Sequence, residues 1–507
     1  MKKAILLLAA TLPGACTVGP DYHGPPAVAS DMPGFVRAPR EVSTAAPALA
    51  RWWEALGDAT LTRLVDDALA HSPTIDQATA RIREAQAQLR QQRTGQLPSV
   101  SANATYLHAD LPGVALGSAQ GGEGGGQAAG SSSGTALNFY NLGLNASWEL
   151  DLFGGGRRST QQRRATAAAR AADLADVQVS LSAQVAQAYV GLRDVQERIR
   201  LNAASTRLQE QQIALSRQRL ARGTASQLDL ERLQGQLEDT QAQAIPLGAQ
   251  ADEYLNQLAV LTGRAPGALD ATLGGVVAVP LPPASVAIGD PAALIARRPD
   301  IRSAERQLEA STAGIGVSKA KELPGIRFLG LLGLGGTSPG DVFDLDNLTA
   351  LAAPSLSWSF LDFGRNRAAT AASEAQRDQA AATYRQTVLE ALQDAENALS
   401  RFGNTRAQLG QLVRAQATAA RASSLNRQRV AAGTSTLIDQ LDIERRQLST
   451  AIAVTQAKAQ LSGSYIAVNK ALGLGWTADA PGLSAGEDPR TAATSPRQAD
   501  RSPRPRP

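Results

Sequence analysis

The sequence predicts a mixed α and β fold that occurs twice within one chain. Two related stretches, 215–230 (LSRQRLARGTASQLDL) and 425–442 (LNRQRVAAGTSTLIDQLD), place Gly223 and Gly433 at an offset of 210. Each stretch joins two polar helical segments, and short segments with alternating apolar residues occur upstream of both. A unit of roughly 200 residues that is present twice favours one two-fold repeated body over several separate domains.

Composition and charge exclude several classes of protein. Only 4% of the 507 residues are aromatic, which suits long helices packed through small side chains better than compact aromatic-rich cores. No run of about 18 apolar residues is present, so the sequence predicts no membrane-spanning helix. The net charge of +4 comes from Lys2, Lys3 and an Arg-rich tail beyond Ala485. We expect no nucleic-acid partner, because that function needs a clustered basic face.

The N-terminal residues have the features of an exported, lipid-anchored protein. Residues 1–15 combine two lysines, an apolar run and small residues, which predicts a signal peptide. Cys16 is the only cysteine, and its place directly after this segment favours a covalent lipid over a free thiol. Residues 16–50 lack periodicity, so we expect a lipidated, extended arm. Residues 477–507 are rich in Pro, Ser and Arg and predict a disordered tail.

The first repeat is predicted to occupy residues 51–290. Apolar residues spaced 3 and 4 apart indicate helices, whereas alternation with period 2 indicates strands. A Pro-free segment of about 65 residues is too long for an isolated globular helix and must pack along other helices. The elements predicted, in chain order, are helices over 60–70 and 74–94, strands over 98–108 and 140–152, a long helix over 157–221 and a return helix over 226–262.

Residues 291–476 repeat this plan. Leu97-Pro98 corresponds to Leu323-Pro324 at an offset of 226, whereas Trp148 corresponds to Trp358 at an offset of 210. The loop inside the first strand pair, over about 109–135, is therefore 16 residues longer (226 − 210) than its counterpart. The elements predicted are strands over 326–334 and 351–363, a long helix over 366–431 and a return helix over 436–472.

The strand pairs permit two interpretations. Strands of about 10 residues with one apolar face fit a hairpin of an outer-membrane barrel. They also fit a surface hairpin of a soluble domain, and the pattern alone does not separate the two. The predicted signal peptide and lipid site favour the membrane hairpin.

Residues that could carry out chemistry are few, and we predict that the protein is not an enzyme. His23, His71 and His108 have no acidic or cysteine neighbours in a metal-binding or catalytic spacing. The remaining candidates are carboxylates beside the two Gly-Thr corners, which could simply favour the positive ends of helices. An alternative is an ionic latch with the nearby arginines. The latch candidates are Asp229, Asp439, Asp442, Arg219 and Arg429.

Taken together in order, these motifs resemble the outer-membrane factor family, the TolC-type efflux ducts, in the lipoprotein branch similar to OprM and NodT. The resemblance covers Cys16 to about Trp476 and rests on motifs that are modest individually but specific in this order. They are Cys-Thr-Val-Gly-Pro-Asp-Tyr22, Trp52-Trp53, Leu97-Pro98, two Trp-to-Phe-Gly turns after the strands, and two Gly-Thr corners followed by Asp229, Asp439 and Asp442.

The resemblance implies a homotrimer with four strands per protomer in a twelve-stranded β-barrel, continued by a long periplasmic α-helical barrel. It implies an exit duct for small toxic compounds that works with a periplasmic adaptor and an inner-membrane transporter of the RND type. No cofactor is implied beyond the covalent lipid on Cys16, which would insert among the lipids of the outer membrane. Adaptor contact falls on Gly223, Thr224, Gly433 and Thr434, and a periplasmic gate on Asp439, Asp442 and Asp229.

Two other functions remain open at this point. A duct of a type I protein secretion system would use the same fold, and only its partner transporter would distinguish it. A non-conducting coiled-coil lipoprotein would share the helices but form no pore. The latch itself differs from some family members, because Val430 and Ser435 stand where those members carry Tyr and Arg. We expect Arg429 or Arg219 to substitute.

Overall fold

The computed structural model describes residues 17–28, 32–39, 42–111 and 135–476. The predicted signal peptide, Cys16, most of the predicted 109–135 loop and the predicted 477–507 tail lie outside these residues. The described residues form two compact units. The first unit lies within Met1–Gly24, Ala85–Ala167 and Gln307–Ala380, and the second within Pro25–Glu84, Ala168–Arg306 and Ala381–Pro507.

The described residues form mainly long helices, together with six strands. The strands are β1 (Val42–Ser43), β2 (Ser99–Leu111), β3 (Thr135–Leu150), β4 (Val286–Ala287), β5 (Gly325–Gly336) and β6 (Leu348–Ser357). The helices are α1 (Ala59–His71), α2 (Pro73–Thr94), α3 (Gly155–Ala221), α4 (Gln227–Leu261), α5 (Asp270–Leu273), α6 (Pro291–Arg297), α7 (Pro299–Ala320), α8 (Arg365–Ala431) and α9 (Leu437–Ala471).

The four long strands form one antiparallel sheet in the first unit. Its order is β2-β3-β5-β6, so the two strand pairs of the sequence lie side by side. Ser99 lies opposite Ser147 in the first pair, and Gly325 lies opposite Ser357 in the second. Trp148 faces Phe328 where β3 of the first pair meets β5 of the second.

The second strand of each pair ends earlier than predicted. The structure places these strands at Thr135–Leu150 and Leu348–Ser357, rather than at 140–152 and 351–363. Each strand ends where its in-chain partner ends, since Leu150 lies opposite Ile326 and Ser357 opposite Gly325. The residues beyond instead prepare the next helix. Asp362, for example, accepts hydrogen bonds from the backbone amides of Gly364 at 3.0 Å and Asn366 at 2.9 Å.

Two predicted irregular segments contain regular structure. The arm over 16–50 includes β1, which pairs in parallel with β4. The segment 264–290 contains α5 as well as β4. These elements are only two to four residues long, so their periodicity is too short to be read from the sequence. Pro246 lies inside α4, which continues through it from Gln227 to Leu261.

The core of the second unit is built around aromatic residues that the sequence has in small number. Trp53, Tyr189 and Phe402 are fully buried. The rings of Trp52 and Trp53 meet edge to face at 5.8 Å between centroids, and Trp52 also contacts Tyr465 at 6.1 Å. Burial of each such side chain contributes about 1.5–3 kcal/mol. Within the described residues, no helix carries an apolar stretch long enough to cross a bilayer.

Candidate functional site

One face of the four-stranded sheet is apolar along all four strands. Residues that lie opposite each other in a ladder share a face, and the register brings the even-numbered residues together. Many of them are exposed in the single chain, including Val100, Leu142, Leu332 and Leu356. The residues of this apolar face include Val100, Ala104 and Tyr106 on β2, Leu142, Leu144 and Trp148 on β3, Ile326, Phe328 and Leu332 on β5, and Leu348, Pro354 and Leu356 on β6.

Aromatic pairs bound the apolar face at two levels. Tyr106 stacks on Tyr140 at 4.9 Å between ring centroids, and Trp148 stacks on Phe328 at 6.2 Å. Tyr140 and Trp148 are eight residues apart on β3, which is about 27 Å along a strand. A strand tilt of about 40° reduces this to about 21 Å across a bilayer, close to the apolar band of about 25 Å in outer-membrane strand proteins. The face therefore has the dimensions of a lipid-facing surface.

The opposite face of the sheet is more polar. It carries hydroxyl and amide side chains such as Asn103, Thr105 and Asn145, together with large apolar side chains: Leu107, Phe139, Leu329, Leu331 and Leu351. Glu149 and Arg327 form a cross-strand ion pair on this face, with 3.1 Å between carboxylate and guanidinium. A sheet with one apolar and one more polar face can separate lipid from water.

The two Gly-Thr corners have the same backbone geometry. Gly223 and Gly433 both have φ of +72°, a left-handed conformation that glycine adopts at little cost. The amide of Thr224 donates to the carbonyl of Arg219 at 2.9 Å, and the amide of Thr434 donates to that of Arg429 at 2.8 Å. Each glycine amide also donates to the carbonyl three residues before it, at 2.9 Å from Gly223 and 3.0 Å from Gly433. The two bonds at each corner close α3 and α8 as Schellman motifs. All four Gly and Thr residues are exposed.

The carboxylates nearest the corners cap the return helices. Ser226 and Thr436 are the N-caps, and their hydroxyl oxygens accept from the amides of Asp229 and Asp439, each at 3.1 Å. Each hydroxyl in turn donates to the carboxylate of the same aspartate, at 2.7 Å and 2.6 Å. The bonds from the Thr436 side chain and backbone hold the pKa of Asp439 below its ordinary value of 3.8. Asp439 is therefore ionised at neutral pH.

Asp442 lies one turn further along α9. Its carboxylate pairs with Arg445 at 3.0 Å and with Arg446 at 3.1 Å, both on the same helix. Arg429 donates to the carbonyl of Thr434 at 3.3 Å. Within the described part of this single chain, neither Arg219 nor Arg429 forms an ion pair with Asp229, Asp439 or Asp442. A latch between these groups of different copies stays a prediction.

Beneath the second corner lies a buried polar cluster that the sequence did not reveal. Asn426 donates to Gln440 at 3.0 Å, and Gln440 donates to Ser423 at 3.2 Å and Glu444 at 2.8 Å. Ser435 donates to Asn426 at 2.8 Å. The equivalent positions at the first corner, 210 residues earlier, are mostly apolar. They hold buried Ile213, Ser216 and Leu230 where the second corner has Ser423, Asn426 and Gln440.

The start of the N-terminal arm is held by one buried arginine. Arg158, near the beginning of α3, is only 4% exposed. It donates to the carbonyls of Val18 and Gly19, each at 3.1 Å, and to the carboxylate of Asp21 at 2.7 Å. The amide of Val18 donates to the carbonyl of Phe153 at 3.0 Å. The segment directly after Cys16 is therefore fixed near the end of β3.

A buried glutamate holds the arm further along, in the second unit. The carboxylate of Glu396 accepts from the backbone amides of Val36 at 2.7 Å and Arg37 at 2.8 Å. The positions that match Arg158 and Glu396 at the 210 offset are Ala368 and Ala186. Each charged residue is thus present in one repeat alone. A charged residue in a helix whose repeat partner is alanine was the sequence signal for these contacts.

The fold thus combines a sheet that has one exposed apolar face with two helical hairpins that turn at glycine corners. The family model of outer membrane efflux proteins matches residues 64–264 and 291–474. Outer membrane protein OprJ of Pseudomonas aeruginosa is 31% identical over 485 residues, with 93% of this chain and 95% of OprJ covered. Nodulation protein T of Rhizobium leguminosarum bv. trifolii is 28% identical over 469 residues, with 91% and 95% covered.

A solved structure shows the same fold. The outer-membrane channel OprN superposes with a TM-score of 0.80 at 32% sequence identity, and the match covers 91% of this chain and all of that one. The chain belongs to the outer membrane efflux protein family. It is an outer-membrane efflux channel protein, and the predicted similarity to the NodT-like branch is confirmed.

Proposed function

We propose that three copies of this chain form a passive exit duct for small molecules, gated at the periplasmic helix corners. The observation that carries the proposal is the sheet with one apolar face and one more polar, mostly uncharged face. Its lipid-facing surface needs a closed sheet, because unpaired strand edges are not tolerated in a bilayer. Four strands from each of three copies would supply a twelve-stranded barrel, with the polar faces lining its lumen.

The periplasmic gate is assigned to the carboxylates beside the corners. In a three-fold assembly, Asp439 and Asp442 would each be repeated three times around the axis. Asp439 is exposed and has a lowered pKa, so a ring of these side chains would carry charge at neutral pH. Cationic groups of neighbouring copies would have to bridge these charges for the duct to stay narrow, and Arg219 and Arg429 are the candidates, with Asp229 as a further carboxylate of the gate.

The partners follow from the same arrangement. The exposed corners at Gly223-Thr224 and Gly433-Thr434 would contact a periplasmic adaptor, which joins the duct to an inner-membrane transporter of the RND type. A lipid on Cys16 would add an anchor in the outer membrane. The contacts of Arg158 with Val18, Gly19 and Asp21 support the anchor, because they hold the following residues close to the end of the sheet.

Single-channel conductance in planar bilayers tests the duct and its gate. The variant Asp439→Asn/Asp442→Asn removes two charges and is expected to conduct several-fold more than the unmodified protein, which conducts poorly when closed. Asp252→Asn/Glu253→Gln makes the same charge change on exposed residues of α4 and is the matched control. An equal rise in the conductance of the control variant would refute the gate at the corner. Absence of conductance in every protein would refute the duct and favour a non-conducting lipoprotein.

A further inference from the structure

The sheet ends in two strands whose outer edges have no partner within the described residues. These are β2 and β6, at opposite sides of the order β2-β3-β5-β6. Such edges present unpaired N–H and C=O groups that another strand can complete. Because all neighbours are antiparallel, β2 and β6 run in opposite directions. The β6 strand of one copy placed beside β2 of an equally oriented copy would therefore continue the antiparallel alternation.

The internal repeat relates the two hairpins residue by residue. The offset of 226, read from Leu97-Pro98 and Leu323-Pro324, carries Ser99 of β2 onto Gly325 of β5. The offset of 210, read from the two tryptophans, carries Ser147 of β3 onto Ser357 of β6. The structure pairs Ser99 with Ser147 and Gly325 with Ser357. The offsets therefore map one observed register onto the other, so the two hairpins are equivalent in register.

The contact between the hairpins can then be carried to the next copy. Inside the chain, Asn145 of β3 lies opposite Leu331 of β5. The offset of 210 makes Ser355 of β6 the equivalent of Asn145, and the offset of 226 makes Thr105 of β2 the equivalent of Leu331. If the ring alternates equivalent hairpins, each β6 must meet the neighbouring β2 as β3 meets β5.

We propose that β6 of one copy pairs with β2 of the next copy so that Ser355 lies opposite Thr105. The proposal rests on the trimer of the proposed function and adds the register of its strand interface. In this register the numbers of paired residues sum to 460, so Pro354 lies opposite Tyr106 and Leu356 opposite Ala104. The interface joins different strands of the two copies, which is the kind of contact that closes a ring.

The side chains at this interface fit the register. Even-numbered residues of β6 meet even-numbered residues of β2, so the apolar face continues across the boundary, whereas a shift of one residue would invert it. Beyond Ser357, Trp358 would lie opposite Ala102 and Phe360 opposite Val100, large residues against smaller ones. Phe360 and Val100 are 77% and 65% exposed in the single chain. Assembly would thus extend β6 to Phe360, as β3 extends to Leu150.

Disulfide cross-linking tests the register. Ser355→Cys/Thr105→Cys is oxidised in the purified, detergent-solubilised protein and examined without reductant. Directly opposite residues have Cα atoms about 4.5–5.5 Å apart, within disulfide reach. The pairs Ser355→Cys/Asn103→Cys and Ser355→Cys/Leu107→Cys shift the register by two residues on the same face, to diagonal distances of about 7–8 Å. We expect the first pair to give at least about threefold more covalent trimer than either shifted pair.

The chain supplies its own controls. Asn145→Cys/Leu331→Cys is the equivalent pair inside one chain and should form an intramolecular disulfide under the same oxidation. Ser355 and Thr105 of one chain are three strand spacings apart, about 14 Å, and cannot bond to each other. The unmodified protein, whose only cysteine is Cys16, gives the background. A shifted pair that cross-links best would overturn the register.

The mass of the unoxidised variants separates failure of the register from failure of the trimer. Light scattering in detergent that gives a trimer, without a cross-link from the first pair and with a positive in-chain control, would overturn the strand contact alone. A monomer mass would overturn the trimer of the proposed function together with this interface.

Discussion

Replacement of Gln440 by leucine is expected to weaken the second corner. Gln440 is 4% exposed and Asn426 is 6% exposed. Leucine would remove the acceptor of the Asn426 amide, now 3.0 Å away, and the donor to Ser423, now 3.2 Å away. A buried polar group that loses its partner costs about 1–3 kcal/mol. At about 1.4 kcal/mol for each factor of ten, local opening would become roughly 5- to 150-fold more frequent.

Hydrogen–deuterium exchange of the first turn of α9 measures this opening. Amide exchange of a locally opening segment follows the population of its open form. Peptides covering Leu437–Leu441 should therefore exchange about 5- to 150-fold faster in the leucine variant. Peptides around the first corner, at residues 226–232, should exchange at the unmodified rate, which excludes a general loss of folding.

A triple variant separates the lost hydrogen bonds from the lost side-chain shape. Ser423→Ile/Asn426→Ser/Gln440→Leu copies Ile213, Ser216 and Leu230, the residues that occupy the equivalent positions of the first corner. Removing both partners of a buried hydrogen bond together is nearly neutral, and here the amides of Asn426 and Gln440 and the hydroxyl of Ser423 are removed together. Of the groups that remain, Ser435 still has the Asp439 carboxylate at 3.5 Å and Glu444 still has Arg427 at 3.2 Å. The triple variant should return exchange close to the unmodified rate. Unchanged exchange in Gln440→Leu, or triple-variant exchange as fast as in the single variant, would refute the reasoning.

Two further predictions concern the arm and the cap of α9. Arg158→Gln should accelerate exchange of the Val18 amide roughly 10- to 100-fold, because charge-assisted bonds contribute about 1.5–3 kcal/mol. Arg164→Gln, an exposed change on the same helix, should leave this exchange rate unchanged. Equal exchange rates in the two variants would contradict the role of Arg158 in holding the arm. Asp439 has a pKa lowered from 3.8, so its cap is fully present above pH 3.8 and is lost as pH falls through the lower, native pKa. Protection of the Thr436 amide should fall in that acidic range, Asp439→Asn should abolish this pH dependence, and an identical pH profile in both proteins would contradict it.

The sequence predicted the local structure of the corners better than the ends of the strands. A glycine at the end of a helical pattern is a local signal, and Gly433 ends α8 in the left-handed conformation. An acidic residue after the corner is another, and Asp439 lies in the first turn of α9, at the positive end of that helix. Strand ends depend on partners instead. The alternation in the sequence continues beyond Ser357, but β5 begins at Gly325, the partner of Ser357. No residue of β5 is therefore left to pair with β6 beyond that point.

Charged residues were harder to place than glycines. The spacing of Asp442, Arg445 and Arg446 on one helix predicts their ion pairs, yet the latch hypothesis favoured arginines across the corner. Arg158 reaches a segment about 140 residues away, and no local pattern encodes such a contact. Its alanine counterpart in the other repeat was the one available signal.

The differences between two otherwise equivalent repeats indicate how each repeat is specialised. The backbone at Gly223 and Gly433 is the same, and so is the register within the two hairpins. Where one repeat has a charged or polar residue and the other has an apolar residue, the common fold does not require the charged or polar residue. Burying a polar group costs free energy unless it forms hydrogen bonds. The arm that Arg158 holds is present once per chain, whereas Gln440 sits beneath the corner that carries both Asp439 and Asp442. Arg158 and Gln440 therefore each lie beside a feature that is present once per chain, the arm and the pair of carboxylates after the second corner. The residue at the equivalent position of the other repeat is the natural choice for a control variant at each site.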